Sequence, residues 1–175
     1  HAPFTVSGAR REYRFDGFRF DGVTSMIYFD HGLEKNFTSY YEYFDGNQDP
    51  DALAYLWLAN KMIHEFSPGA VTIAEEMSGM PGLAAPVSRN GYGFDFRLSM
   101  GVPDYWIKLV KDTPDEQWDM GKLVYELSQR RPEEKIVSYC ESHDQALVGD
   151  KTLIFRMLDA EMYTGMNLAT HSFNI

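Results

Sequence analysis

The stretch YRFDGFRFDGV, from Tyr13 to Val23, decides the fold. It is rich in aromatic residues that alternate with polar ones, which is typical of a buried strand. The tetrapeptide RFDG occurs twice within it, and the two copies begin five residues apart. Because strand side chains alternate between faces, an odd offset puts Asp16 and Asp21 on opposite faces. The two aspartates are therefore predicted to have different roles. Arg19 shares the face of Asp21.

Further along the chain, segments with strand character alternate with segments with helical character. The other predicted strands are Val71–Ala74, Phe94–Met100 and Ile136–Cys140. The predicted helices are Pro50–Phe66, Pro103–Lys111, Met120–Arg130 and a last helix from about Thr152 to Tyr163. Asp119 is the expected N-cap of the helix that begins at Met120. This alternation predicts parallel βα units.

The helix that begins at Pro50 has clear boundaries in the sequence. Asp49 is a candidate N-cap, proline suits the first helical position, and Ser67-Pro68-Gly69 ends the helix. A stripe of apolar residues at helical spacing is predicted to pack on a sheet. Its members are Leu56, Ala59, Ile63 and Phe66.

Acidic residues lie at or just after the ends of three predicted strands. Asp21 ends the first strand, Glu75 follows the second, and Asp144 follows the last. In a (β/α)8 barrel, catalytic residues sit at the carboxyl ends of the strands. Such a barrel has eight strands and about 250 residues, whereas this chain of 175 residues offers four candidate strands. The pattern therefore predicts an α/β fold that is part of a TIM barrel, about half of one.

These acidic positions suit the cleavage of a glycosidic bond with retention, which uses two carboxyl groups about 5–5.5 Å apart. Asp21 suits the ionised nucleophile, because the nearby cation of Arg19 favours a carboxylate. Glu75 suits the acid, because the apolar strand before it and a second carboxylate nearby are expected to raise its pKa. Asp144, with His143 beside it, suits contacts to sugar hydroxyls and stabilisation of an oxocarbenium-like transition state.

The composition argues against several other partners. A formal net charge of -10 disfavours nucleic acid and anionic membranes but not a neutral polysaccharide. No apolar run approaches the roughly 20 residues needed to span a bilayer, and no signal peptide is visible. The single cysteine, Cys140, precludes an internal disulfide and fits a reducing, cytoplasmic compartment. His143 and Asp144 have no third ligand at suitable spacing, so no metal site is predicted.

Three segments resemble signature regions of the α-amylase superfamily. They are GFRFDGVTSM (Gly17–Met26), TIAEEMSGMPG (Thr72–Gly82) and YCESHDQALVGDKT (Tyr139–Thr152). In detail they are most similar to the branching enzymes, especially the eukaryotic type, and the similarity extends from about Tyr13 to Met166. The resemblance implies that residues 1–175 are a fragment of one catalytic barrel domain, roughly its fourth to seventh βα units. Residues 1–12 would be an irregular lead-in.

The resemblance also implies a role for each candidate residue. Asp21 matches the nucleophile, Glu75 the acid/base and Asp144 the transition-state stabiliser, and the supporting substrate-binding residues are Arg19 and His143. The family's reaction cuts an α-1,4-glucan (glycogen, amylose or amylopectin), holds the chain as a glycosyl-enzyme and transfers it to a 6-hydroxyl. The expected product is an α-1,6 branch, made without a cofactor. The expected location is the cytoplasm, or a plastid in a starch-making organism.

The residues alone leave alternatives open. Arg19 and Asp21 could form a purely structural ion pair. Pattern does not choose between Glu75 and Glu76 as the acid, although the resemblance favours Glu75. The same signatures would be carried by an α-glucan hydrolase of the superfamily, or by a truncated chain that binds glucan without reacting.

The chain also departs from the family's pattern. The family's signature on the third barrel strand, with an Asp, an Asn and a His near the sugar, has no counterpart in His1–Arg10. The segment Phe29–Gly32 reads FDHG, where the family more often has a run of histidines. Substrate contacts are therefore not assigned to Asp30 or His31.

Overall fold

Four strands form one parallel sheet within residues 12–144 and 151–165, the part of the chain that this computed structural model describes. In chain order and in spatial order they are β1 (Gly17–Phe20), β2 (Val71–Ala74), β3 (Phe96–Leu98) and β4 (Ile136–Val137). The predicted parallel α/β class is confirmed. The strands other than β2 are shorter than predicted, because a ladder extends only where a neighbouring backbone pairs with it. The predicted lead-in, apart from residue 12, lies outside the described residues.

The sheet belongs to the first of two compact units, which comprises residues 12–98 and 130–137 of the described chain. The helical segments of this unit are α1 (Val23–Ile27), a 3-10 turn at Tyr40–Tyr43, α2 (Pro50–Phe66) and a 3-10 turn at Val87–Arg89. Asp49 caps α2 as predicted. One carboxylate oxygen of Asp49 accepts hydrogen bonds from the backbone N–H groups of Asp51 at 2.9 Å and Ala52 at 3.2 Å.

The buried face of α2 differs in part from the predicted stripe. Leu56 and Ile63 are buried as predicted, but Phe66 is 76% exposed because it is the last residue of the helix. Asn60 lies on the buried face instead, and its Nδ2 donates to the backbone oxygens of Leu56 and Tyr92, both at 3.0 Å. A polar residue is thus accommodated in the core by local hydrogen bonds.

The core of the first unit is built from α1, α2, β2 and the loop after β2. Its buried members are Val23, Ile27, Tyr28, Tyr43, Leu56, Ala74, Met80, Leu83, Ala84 and Phe94. Phe20 of β1 packs edge-to-face on Phe94, with ring centroids 5.1 Å apart. The segment that follows β2 is therefore part of the core rather than a free surface loop.

The second compact unit comprises residues 99–129, 138–144 and 151–165 of the described chain. Its α-helices are α3 (Gly101–Asp112), α4 (Met120–Ser128), α5 (Leu153–Leu158) and α6 (Glu161–Thr164). Asp119 caps α4 as predicted, accepting from the Lys122 N–H at 3.0 Å. The prediction of one continuous last helix is wrong. Asp159, with φ of 40°, separates α5 from α6. None of the described helices is long and apolar enough to cross a membrane.

Candidate active site

Asp21 and Glu75 lie side by side at the carboxyl edge of the sheet. Phe20, the last residue of β1, pairs with Ala74, the last residue of β2. The residue that follows each strand, Asp21 or Glu75, is acidic. Two backbone hydrogen bonds continue the ladder past the strand ends. The Glu75 N–H donates to the Phe20 oxygen at 2.9 Å, and the Glu75 oxygen accepts from the Val23 N–H at 3.0 Å. These two bonds hold the ends of the two strands side by side.

Arg19 links the two carboxylates. Its Nη2 lies 3.0 Å from Asp21 Oδ1 and 2.7 Å from Glu75 Oε2. The sequence predicted the contact with Asp21, but the shorter contact is with Glu75. Because both carboxyl groups bind one nitrogen, they are direct neighbours. Retaining glycosidases use a pair of neighbouring carboxyl groups, about 5–5.5 Å apart.

Glycine at position 22 completes this arrangement through its backbone. Gly22 adopts the left-handed conformation, with φ of 61° and ψ of 30°, which an L side chain disfavours. Its N–H donates to Glu75 Oε2 at 3.2 Å. The second RFDG copy therefore supplies a cation, a carboxylate and a backbone donor within four residues.

The two carboxylates differ in exposure. The Asp21 side chain is 75% exposed, whereas the Glu75 side chain is 11% exposed. Burial of Glu75 acts to raise its pKa, but hydrogen bonds with Asp21, Arg19 and the Gly22 N–H outweigh burial, so the pKa of Glu75 lies below its ordinary value. The predicted raised pKa of Glu75 is thus wrong for the ligand-free site. The sequence could not reveal that the cation assigned to Asp21 binds Glu75 as well.

Glu76, the alternative acid, has a different environment. Its side chain is 0% exposed and forms an ion pair with Arg97 of β3. Its oxygens accept from the backbone N–H groups of Ser78 at 2.7 Å, Gly79 at 2.9 Å and Met80 at 3.0 Å. The Glu76 carboxylate is thus buried and bonded to groups of the protein itself. Of the two adjacent glutamates, Glu75 is the one beside Asp21.

The ion pair of Glu76 belongs to a buried charge cluster that sequence analysis missed. Arg97 Nη1 lies 3.0 Å from Glu134 Oε2 and donates at 3.0 Å to the Met80 oxygen. Glu134 is 2% exposed, and Arg131 lies 3.6 Å from its Oε2 atom. The available signal was an arginine in the middle of the predicted strand Phe94–Met100, because a buried cation needs a buried partner.

His143 and Asp144 follow β4 along the chain and belong to the second unit. His143 Nε2 lies 3.3 Å from Asp144 Oδ1, and the two side chains are 55% and 45% exposed. The Asp144 N–H donates to Ser142 Oγ at 3.3 Å. These contacts of Asp144 are with its near neighbours in the chain, while Arg19, Asp21 and Glu75 form one group in the first unit.

Asp30 and His31, to which no substrate contact was assigned, have local partners. Asp30 Oδ1 accepts from the Gly32 N–H at 2.9 Å, and His31 Nδ1 lies 2.8 Å from the Ser25 oxygen. Among the residues described here, no group of three or more His, Cys, Asp or Glu side chains could hold a metal ion. Arg19, Asp21 and Glu75 bring two carboxylates and one cation together. Neighbouring carboxyl groups can serve as a nucleophile and as a proton-transfer group.

The chain is similar in sequence to curated proteins named 1,4-alpha-glucan-branching enzyme. A 1,4-alpha-glucan-branching enzyme of Felis catus is 58% identical over 171 residues, which are 95% of this chain and 24% of that protein. The protein of that name from Dictyostelium discoideum is 58% identical over 91% of this chain, and the match covers 23% of that protein. The one from Solanum tuberosum is 54% identical over 95% of this chain, and the match covers 20% of that protein. The chain thus spans less than a third of these curated relatives. No protein-family profile matches the chain.

Proposed function

Because the chain belongs to the family of 1,4-alpha-glucan-branching enzymes, we propose that it carries the carboxylates with which α-1,6 branches are made in glycogen or starch. The observation that carries this proposal is the pair formed by Asp21 and Glu75 on one Arg19 nitrogen. A retaining mechanism uses two neighbouring carboxyl groups, one as nucleophile and one as acid and base.

In the first step, the Asp21 carboxylate attacks the anomeric carbon of an α-1,4-glucan. The bond to the 4-oxygen breaks, and that oxygen takes the proton of Glu75. In the second step, the ionised Glu75 removes the proton from a 6-hydroxyl of another glucan. That oxygen then displaces Asp21 from the anomeric carbon, and the α-1,6 bond forms with net retention.

The lowered pKa of Glu75 suits the second step, in which Glu75 acts as a base. The first step needs Glu75 in its protonated form. A bound glucan that covers Glu75 would exclude water and raise its pKa, because desolvation disfavours a charge. We therefore assign the acid form of Glu75 to the substrate complex rather than to the free site.

Further parts of the proposal rest on the family relationship. Asp144 would stabilise the positive charge that develops on the sugar ring, with His143 and Arg19 as supporting substrate-binding residues. The sheet would be the fourth to seventh strands of a TIM barrel, and residues 1–175 would be a fragment of that one catalytic domain. The reaction uses no cofactor, and the location would be the cytoplasm or a plastid.

The length of the chain favours one alternative for the isolated polypeptide. Since it covers 20–24% of its relatives, the 175 residues alone could bind glucan without turnover, while the full protein is active. A hydrolase of the same superfamily would use the same carboxylates with water as the acceptor. The product distinguishes these possibilities.

The test is incubation of the full protein with amylose, followed by NMR of α-1,6 anomeric protons and by assay of reducing ends. New branches without an equal rise in reducing ends are expected. Asp21→Asn is expected to abolish turnover, whereas Asp16→Asn, the same change in the first RFDG copy, is expected to retain it. New reducing ends without branches would contradict the transferase and indicate the hydrolase.

A further inference from the structure

We propose that Thr24 and Glu76 are positioning residues that hold Asp21 and Glu75 at their working separation. This inference rests on the proposed function, because it concerns the same two carboxylates. Neither Thr24 nor Glu76 has a place in the chemical steps above. Their contacts tie the segment after β1 to the segment after β2.

The tie is reciprocal. The Thr24 hydroxyl donates to Glu76 Oε1 at 3.2 Å, and the same oxygen of Thr24 accepts from the Met77 N–H at 2.7 Å. Thr24 lies in α1, three residues after Asp21, and Glu76 is the residue after Glu75. One side chain thus connects the two segments that carry the reacting carboxylates.

The Glu76 end of the tie is rigid. Its carboxylate binds the backbone N–H groups of Ser78, Gly79 and Met80 and so fixes the turn that follows. Gly79 has φ of 82° there, and a Cβ on it would lie 3.1 Å from the Tyr43 hydroxyl oxygen. That hydroxyl donates to the Ser78 oxygen at 2.7 Å, which fastens the turn to the core.

A buried ion pair holds Glu76 in place. Arg97 pairs with Glu76 and with Glu134, and its side chain is 7% exposed. Removing any of these charges would leave another uncompensated in the interior. Glu76 therefore has little freedom to move, and Thr24 transmits its fixed position to the end of β1.

The contribution expected from this tie is geometric. The last backbone bond between the two segments joins the Val23 N–H to the Glu75 oxygen, and the Thr24 contacts lie just beyond it. Without them the Asp21 and Glu75 segments could separate. A misplacement of about 1 Å between reacting groups costs roughly 100-fold in rate, so small changes in separation matter.

The test compares two substitutions at one position in the full protein. Thr24→Val keeps the methyl group that packs near Gly32 but removes the hydroxyl. Thr24→Ser keeps the hydroxyl and removes the methyl group. The measurements are kcat and KM on amylose, the NMR titration of the Glu75 carboxyl carbon, and thermal unfolding as a check on folding.

Thr24→Val is expected to lower kcat by about 10- to 100-fold with KM within about twofold, and to shift the Glu75 titration to higher pH. Thr24→Ser is expected to restore kcat to within about threefold and to titrate as the parent. A purely structural role would instead give two variants ranked by their stability, with the Glu75 titration unchanged, and would overturn the inference.

The Glu75 titration separates this inference from the proposed function. If the parent protein makes no branches, the proposed function fails. The tie would still be supported by a titration shift in Thr24→Val that Thr24→Ser does not show. Identical titrations in all three proteins would overturn the tie whether or not the parent is active.

Discussion

Arg19 Nη2 lies 2.7 Å from Glu75 Oε2, so one guanidinium joins the end of β1 to the end of β2. Burial acts to raise the pKa of Glu75, but the hydrogen bond with Asp21, this contact with Arg19 and the Gly22 N–H together hold it below its ordinary value. The contact also makes Arg19 part of the electrostatics of both carboxylates, since the same nitrogen lies 3.0 Å from Asp21.

Arg19→Met is expected to raise the pKa of Glu75, because the cation and its hydrogen bond are lost. The lowered pKa stabilises the fold above the unfolded value of about 4.3, and this contribution disappears as pH falls through the folded pKa. In Arg19→Met the contribution at neutral pH is therefore smaller. NMR titration of the Glu75 carboxyl carbon measures the shift. Arg14→Met, from the first RFDG copy, is the control, and equal titration curves in both variants would contradict the assignment.

Glu75→Gln is expected to abolish reaction with amylose, because the 4-oxygen then receives no proton. With a glucosyl fluoride, whose leaving group needs no acid, formation of the glycosyl-enzyme is expected to persist. Pre-steady-state release of fluoride measures that step. Glu75→Gln with normal turnover of amylose, or loss of the fluoride burst as well, would remove Glu75 from the acid role.

Arg97→Met is expected to destabilise the protein by about 3–5 kcal/mol, because Glu76 and Glu134 then remain as buried carboxylates without a counter-charge. Urea unfolding gives the free energy of unfolding. The exposed Arg89 is the matched control, and Arg89→Met is expected to change stability by less than about 0.5 kcal/mol. If Arg97→Met lowered the free energy of unfolding as little as Arg89→Met, the buried cluster would contribute nothing to stability.

Asp49→Ala is expected to lower stability by about 1 kcal/mol, because the N–H groups of Asp51 and Ala52 lose their side-chain acceptor. Asp49→Asn keeps an acceptor at the cap and is expected to remain within a few tenths of a kcal/mol of the parent. Urea unfolding of the two variants provides the comparison. An equal loss in both would point to the charge of Asp49 rather than to its cap.

The sequence predicted the elements whose signals are local. Asp49 and Asp119 mark helix starts through capping, and β2 was predicted with its bounds because the apolar run ends abruptly at Glu75. Phe66 was wrongly predicted to pack on the sheet, because helical spacing shows which face of a helix is apolar but not how far along the helix the packing extends. The break at Asp159 depends on the positive φ of a single residue, which no periodicity reveals.

The candidate site was predictable in its residue types but not in its connections. Arg19, Asp21 and Glu75 were recognised from strand ends and from the family's motifs. The partners of Glu76 were not, because Arg97 lies 21 residues away along the chain and Glu134 pairs with Arg97 over 37 residues. Such contacts depend on which strands are neighbours in the sheet. The alternation of strands and helices predicts that the strands are parallel, but not their order.

The most direct test of the central claim is to trap the covalent intermediate. The full protein would be treated with a 5-fluoro-α-glucosyl fluoride, which forms a glycosyl-enzyme that turns over slowly, and then digested and analysed by mass spectrometry. One added sugar on the peptide that carries Asp21 is expected in the parent and in Asp16→Asn, and none in Asp21→Asn. A sugar on Glu75 or Asp144, or branch formation that persists in Asp21→Asn, would contradict Asp21 as the nucleophile.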